Sequence, residues 1–258
     1  MSVRITAGDV QCENPFFVFD KDGLMFQSQP FWKALGEERL QLLGAHLSPA
    51  LCAKWAKLFG FDCKDGEIAH TDPLGVFAVA APAEEMAITA GFFMEHAGYV
   101  WTDAIAQAKR IFAEADARLD LRKALVPQPG FPDILSRLRA AKIPYAIATS
   151  DTAARAEKSL SLFGETRPEL VITPESVKNQ KPAPDMLRLV AKTAGVSIER
   201  IVMVGDSCVD TEMAKNAGAI GIGIPETDEM RRRMAKSAAA ILDSLSEIQI
   251  NDSNGGRK

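Results

Sequence analysis

Four near-continuous apolar runs constrain this chain most: Pro144-Tyr-Ala-Ile-Ala-Thr149, Glu169-Leu-Val-Ile-Thr173, Arg200-Ile-Val-Met-Val-Gly205 and Ala219-Ile-Gly-Ile-Gly-Ile224. Each is short and bounded by turn residues, and none alternates with polar residues as a strand with one wet face does. They read as strands buried on both faces, the mark of a parallel sheet. Helical patterns lie between them. Met186, Leu187, Val190, Ala191 and Ala194 form an apolar stripe that stops at Gly195, and Met213, Ala214 and Ala217 do the same before Gly218. Pro132 opens a further helix, and the Ile143-Pro144 step closes it. Strand–helix alternation of this kind predicts an α/β fold built on a doubly wound, Rossmann-like parallel sheet. A fifth run, Phe16-Phe-Val-Phe-Asp20, stands far upstream and predicts the first strand of that sheet.

The stretch between has another character. From about Gln29 to Leu125, strand-like alternation is scarce while alanine, leucine and helix caps are frequent. Thr102 is a candidate cap for a helix whose Ile105, Ala108, Phe112, Ala115 and Leu119 recur at three- and four-residue steps. Asp72-Pro73 and Ala81-Pro82 read as further helix starts. The expectation is an α/β core over residues 1–25 and 127–250, an inserted all-helical cap domain over 26–126, and a disordered tail over 251–258. Pro127-Gln-Pro-Gly130 is the return linker.

Composition narrows the function. With 258 residues, 47% of them hydrophobic, the chain can bury a sizeable core. A net charge of −4 lacks the basic excess of a nucleic-acid or membrane-surface protein, so neither partner is expected. No apolar run reaches bilayer length, and the first residues hold no continuous apolar region, so a soluble, cytoplasmic protein without a signal peptide is expected. Cys12, Cys52, Cys63 and Cys208 form no CxxC pair, and His46, His70 and His96 form no metal motif. The cysteines read as reduced and mostly buried thiols.

Four short polar segments fall where sheet strands are expected to end: Asp20-Lys-Asp22-Gly23, Thr149-Ser150-Asp151, Lys181-Pro182, and Gly205-Asp206-Ser207 followed by Asp210. In open α/β sheets the ligand site lies outside the carboxyl ends of the strands. Acids, a hydroxyl and a lysine converging there make a metal and phosphate site. Asp20, Asp206 and Asp210 close together cannot all stay ionised without a cation, and carboxylate oxygens suit Mg²⁺. Singly, each segment is also a helix cap or a turn former; Asp206 and Asp210 could cap the helix that runs to Gly218.

In order and spacing these segments resemble the haloacid dehalogenase superfamily of phosphohydrolases, in its phosphoglycolate phosphatase-like branch with a helical cap after the first motif. Phe19-Asp20-Lys21-Asp22-Gly23 resembles motif one, Ala148-Thr149-Ser150 motif two, Lys181-Pro182-Ala183-Pro184-Asp185 motif three, and Gly205-Asp206-Ser207-Cys208-Val209-Asp210 motif four. Leu24, Gln27 and Lys21 depart from the usual residues. Strand alternation turns Lys21 away from the face shared by Asp20 and Asp22, so no phosphate contact is expected of it.

The resemblance implies a Mg²⁺-dependent phosphatase acting on a small phosphorylated metabolite. Asp20 is then the nucleophile that becomes an aspartyl-phosphate, and Asp22 the general acid and base. Asp22 is expected to have a raised pKa from neighbouring acids and burial. Thr149, with Ser150 beside it, would bind the phosphoryl oxygens, and Lys181 would offset their charge. The metal would be held by the Asp20 carboxylate, the Asp22 carbonyl and the Asp206 carboxylate, with Asp210 acting through water. A phosphomutase of the β-phosphoglucomutase type and a non-catalytic binding protein on the same fold are the alternatives. Retention of both Asp20 and Asp22 argues against the second. Lys57, Lys64, Glu67 and His70, around an apparent loop Cys63–Gly66, are candidate substrate contacts in the cap.

Overall fold

The computed structural model describes residues 3–162 and 168–252. The chain divides into two compact units, Met1–Gln27 with Pro127–Lys258, and Ser28–Val126. The first unit is built on the expected apolar runs. They become strands β3 (Phe16–Phe19), β6 (Tyr145–Ala148), β7 (Leu170–Ile172), β8 (Ile201–Gly205) and β9 (Ile220–Gly223), joined by a short β10 (Ala240–Ile241). These six form one parallel sheet in the order β10-β9-β8-β3-β6-β7. The chain leaves β3 and returns as β6 on one side and β8 on the other, which makes the end of β3 the point where strand order reverses.

Helices α7 (Asp133–Ala140), α8 (Ala153–Ser161), α9 (Asp185–Ala194), α10 (Cys208–Ala217) and α11 (Asp228–Met234) intervene between or follow the strands. Period-two geometry sends Phe16 and Val18 to one face, where they join Met186, Leu187 and Val190 of α9 and Met213 of α10 in a fully buried cluster. Phe17 and Phe19 take the other face, their rings stacked 5.4 Å apart, with Tyr145 edge-on at 6.1 Å. Both faces of β3 are therefore dry, as its unbroken apolar sequence requires.

A second sheet was not expected. β1 (Val3–Ala7) and β2 (Val10–Glu13) form an antiparallel hairpin across Gly8-Asp9, and β11 (Gln249–Asp252) pairs with β1 on the outer side. Val3 pairs with Asp252 and Arg4 with Asn251, so the first two residues of the expected disordered tail are strand. One ladder of backbone hydrogen bonds, to β1, holds what composition alone labels a frayed end. The rest of that expectation falls on residues 253–258, outside the described residues.

The second unit holds α1 (Ser28–Leu43), α2 (Pro49–Phe59), α3 (Val76–Val79), α4 (Pro82–Ala97), α5 (Trp101–Arg118) and α6 (Leu121–Ala124). It is not all-helical. The apparent loop at Cys63–Gly66 belongs to a two-stranded hairpin, β4 (Phe61–Lys64) and β5 (Glu67–Thr71). Asp65 and Gly66 turn it with φ of 53° and 88°, the doubly left-handed pair that an Asp-Gly two-residue turn adopts. Thr102 lies inside α5, whose N-cap is Val100, and Asp72-Pro73 opens a turn, with the helix starting at Val76 after Gly75. Ala81-Pro82 does start a helix. The unit's core is aromatic: Trp55 stacks on Phe59 at 4.0 Å and donates through Nε1 to Thr89. Arg39 is buried there too, paired with Glu85 at 2.9 Å and lying 3.8 Å over the Phe112 ring. Among the described residues, no helix is long and apolar enough to cross a membrane.

Candidate active site

Asp20 follows the last residue of β3, and its backbone N–H donates to the Val204 carbonyl of β8 at 2.9 Å. That bond extends the parallel ladder by one residue and fixes Asp20 beside the end of β8, from which Asp206 leaves. On the other side Phe19 pairs with Ile147, so Thr149 leaves β6 next to Asp20. Asp20, Asp206 and Asp210 each offer a carboxylate oxygen within 4.8 Å of the others. The Gly23 backbone packs directly on this cluster. With φ at +81°, a Cβ there would stand 2.1 Å from Asp206 Oδ2, so the loop can hold no side chain at that point.

Lys181 enters from the loop before α9. Its Nζ lies 2.8 Å from Asp20 Oδ1 and 2.6 Å from Asp210 Oδ1, with the side chain 3% exposed. A lysine before proline in a loop usually faces water; this one is an internal counter-ion. Asp210 is committed on both oxygens, because Oδ2 accepts from the Ser207 N–H at 3.2 Å and from its hydroxyl at 2.7 Å. Asp210 thus does two things, closing the N-terminus of α10 and holding Lys181 against Asp20. Thr149 is buried, and its Oγ1 accepts the Asp151 N–H at 3.1 Å, which leaves its own O–H proton to donate. Ser150 is half-buried and caps nothing; the N-cap of α8 is Thr152, whose hydroxyl accepts from Arg155 N–H.

Three carboxylates against one ammonium leave the cluster short of positive charge. Burial, with Lys181 opposing and Asp210 adding to it, pushes Asp20 up to about 6. Burial and the charges of Asp20, Asp210 and Glu226 push half-buried Asp206 well above the carboxylate range. For Lys181, burial works against the charge, but Asp20 and Asp210 outweigh it and raise its pKa. A set of hard oxygen donors with excess negative charge fits a divalent cation such as Mg²⁺.

Asp22 departs from expectation. Its Oδ1 lies 2.5 Å from Lys21 Nζ and its side chain is 23% exposed, surroundings of opposite sign to the acidic, buried ones foreseen. Lys21 itself is fully buried. Alternation sets it on the face away from Asp22, whereas it pairs with Asp22 just beyond the end of β3 at Phe19. Its ammonium also pairs with Asp151 at 3.0 Å, and Asp151 Oδ1 accepts from Arg155 Nε and Nη2, both at 2.6 Å. Asp22, Lys21, Asp151 and Arg155 form a closed chain of two acids and two bases. Burial opposes charge on Lys21 and Asp151 alike; their partners prevail, raising the lysine and lowering the aspartate.

Sequence reasoning missed Lys21, Asp151 and Arg155 as a unit, although Asp151 and Arg155 carry the four-residue spacing that places them on one side of a helix start. It also missed Gln128, whose Nε2 donates to the Gly23 carbonyl at 2.9 Å and to Glu226 at 2.5 Å, tying the return segment to the motif-one loop. No signal marked Glu226, an exposed acid after β9. Of the cap candidates, Glu67 pairs with Lys33 at 3.1 Å; Lys57, Lys64 and His70 are exposed. All four cysteines are free, but only Cys12 is buried and Cys63 is exposed.

The model of the haloacid dehalogenase-like hydrolases matches residues 16–218. Over 138 residues the chain is 33% identical to the probable phosphatase IndB of Dickeya dadantii, a stretch that covers 49% of this chain and 59% of that protein. It is 27% identical over 207 residues to a phosphoglycolate phosphatase of Neisseria meningitidis, covering 80% and 78%. Among solved structures, CbbY from Rhodobacter sphaeroides in complex with phosphate aligns with a TM-score of 0.62 and 20% identity, over 90% of this chain and 98% of that one. That likeness is one of fold.

Proposed function

The chain belongs to the haloacid dehalogenase-like hydrolases, and we propose that it is a Mg²⁺-dependent phosphatase that hydrolyses a small phosphorylated metabolite, as phosphoglycolate phosphatases do. The observation that carries this is the end of β3, where Asp20 meets Lys181 at 2.8 Å with Asp206 and Asp210 within reach. Asp206, the Asp20 carboxylate and the Asp22 carbonyl are the groups that would hold the metal. Asp210, already bonded to Lys181 and Ser207, would act through water. When bound, the cation supplies the positive charge that three acids and a phosphate need.

An Asp20 carboxylate oxygen attacks phosphorus as the bond to the leaving oxygen breaks, forming phospho-Asp20. Asp22 gives its proton to the departing alkoxide. Water then attacks phosphorus, Asp22 takes the water's proton, and the Asp20–phosphorus bond breaks to free phosphate. Thr149 O–H, Ser150 N–H and Lys181 bind the phosphoryl oxygens in both steps. Four free thiols, one of them exposed, suit a reducing cytoplasm.

A phosphomutase would pass through the same phospho-Asp20, so the fate of that intermediate is the test. The purified protein with Mg²⁺ is given a panel of sugar phosphates and small phosphorylated acids, and free phosphate and sugar isomers are separated and quantified. Phosphate release without isomer is expected. Isomer formation well ahead of phosphate overturns the hydrolytic reading in favour of the mutase.

A further inference from the structure

We propose that Lys21 is a positioning residue for the leaving-group side of the reaction: anchored on Asp151, its buried ammonium fixes the Asp22 carboxyl group. This rests on the reading of Asp22 as the proton donor given above. Lys21 Nζ is enclosed, with no side-chain exposure, and it touches Asp22 at 2.5 Å and Asp151 at 3.0 Å. An ammonium taken out of water needs partners, and Lys21 gains them on both sides. With its ammonium held by these two carboxylates, its influence on the reaction runs through Asp22.

The anchor is stiff. Arg155 grips Asp151 Oδ1 with two nitrogens at 2.6 Å, and the Asp151 backbone N–H donates to Thr149 Oγ1. One chain of contacts therefore relates the proton donor to the hydroxyl proposed to hold the phosphoryl group. Asp22, by contrast, follows the end of a strand and is 23% exposed, and the Lys21 ammonium holds its carboxylate at 2.5 Å. General acid catalysis depends on placing the proton within hydrogen-bond reach of the leaving oxygen. Misplacing it costs most when that oxygen leaves poorly.

The test compares an alkyl phosphate with p-nitrophenyl phosphate, whose leaving group needs little protonation, in wild type, Asp22→Ala, Lys21→Met and Lys21→Met/Asp151→Asn. Lys21→Met should lower kcat for the alkyl ester about 10- to 100-fold, a part of the full general-acid effect. The aryl ester should lose less than about a third as much, and KM for both should stay within about twofold of wild type. The double variant removes a charge of each sign, so it keeps the network's net charge and carries the comparison should the single variant not fold. Its alkyl-to-aryl ratio should stay as low as that of Lys21→Met. Recovery of the ratio in the double variant would mean Lys21 merely balances Asp151, and the proposal falls. Equal losses on both esters also overturn it. If Asp22→Ala discriminates between the esters and Lys21→Met does not, the positioning role alone fails. If wild type hydrolyses neither ester nor any phosphate of the panel, the phosphatase reading fails and this role with it.

Discussion

Two charge clusters meet at one tripeptide and are built on opposite principles. Asp20 belongs to a group of three acids and one lysine, whereas its neighbours Lys21 and Asp22 belong to a chain of two acids and two bases. The second chain balances its charges: Lys21 lies between Asp22 and Asp151, Arg155 grips Asp151, and Asp151 is driven to ionise. The first is unfinished, with Asp20 and Asp206 both pushed towards the protonated form. The difference separates a scaffold from a receptor. A closed network sets geometry, while an open one has binding capacity, and here it is open to a cation and a phosphoryl group.

Removing one carboxylate from each cluster should break the comparison most visibly. Asp20→Asn takes away the nucleophile, and turnover should fall by on the order of 10⁴-fold or more. The same variant should melt higher than wild type in chelator, since it relieves repulsion among the acids. Asp151→Ala leaves Lys21 and Arg155 buried without their shared partner, and about 3–5 kcal/mol of stability should be lost in urea melts. Near-normal turnover in Asp20→Asn would remove it as nucleophile, and stability changes of the same sign in both variants would erase the distinction drawn here.

Metal removal acts on the open cluster alone. Exhaustive chelation should lower turnover about 10²–10³-fold, and Mg²⁺ should restore it. Added Mg²⁺ should also raise the melting temperature of wild type, and do so much less in Asp206→Asn. Full turnover after chelation would contradict the metal role. A smaller and more selective effect belongs to the closed chain. Asp22→Ala should cost an alkyl phosphate about 10²–10⁴-fold and an aryl phosphate less, read as a steeper dependence of kcat on leaving-group basicity. Equal losses on both would mean that breakdown of phospho-Asp20 limits turnover, or that Asp22 is not the acid.

The open cluster was legible in the sequence and the closed one was not. Asp20 and Asp206 follow strand ends, which a parallel sheet brings together whatever the side chains are; Lys181, in the loop before α9, and Asp210, in the first turn of α10, were found through the order and spacing of the motifs. The pairing of Lys21 with Asp22 and Asp151 was not foreseen, because the apolar run Phe16–Phe19 gives no signal of how the next three residues turn. The same limit hid the two hairpins. Val3–Glu13 alternates around Gly8-Asp9, and Phe61–Thr71 turns at Asp65-Gly66, but each strand spans only four or five residues. At that length, turn chemistry carries more information than periodicity. The pairing of β11 with β1 joins residues some 250 positions apart, which no local pattern specifies.

The smallest expected effect separates the clusters by the sign of their pH dependence. Asp20 titrates near 3.8 when unfolded and is raised to about 6 in the metal-free fold, so between those values the native state holds more protons than the unfolded chain. Metal-free stability must therefore fall as pH rises through that window, by up to about 1.4 kcal/mol per pH unit for one group. Asp151 behaves oppositely. Its lowered pKa contributes stability that is present above about pH 4 and lost as pH falls below it, so it stays out of the window. Urea melts of chelated wild type and Asp20→Asn at pH 4.5, 5.5 and 6.5 isolate the term, because most other groups cancel in the difference between the two proteins. Wild type should lose stability relative to Asp20→Asn with each step up in pH. Saturating Mg²⁺ should flatten or reverse the trend, since the metal binds the ionised carboxylates and competes with protons for them. A difference that stays constant across the three pH values would mean that Asp20 ionises in the fold as readily as in water, and the open cluster would then carry no unmet charge at Asp20.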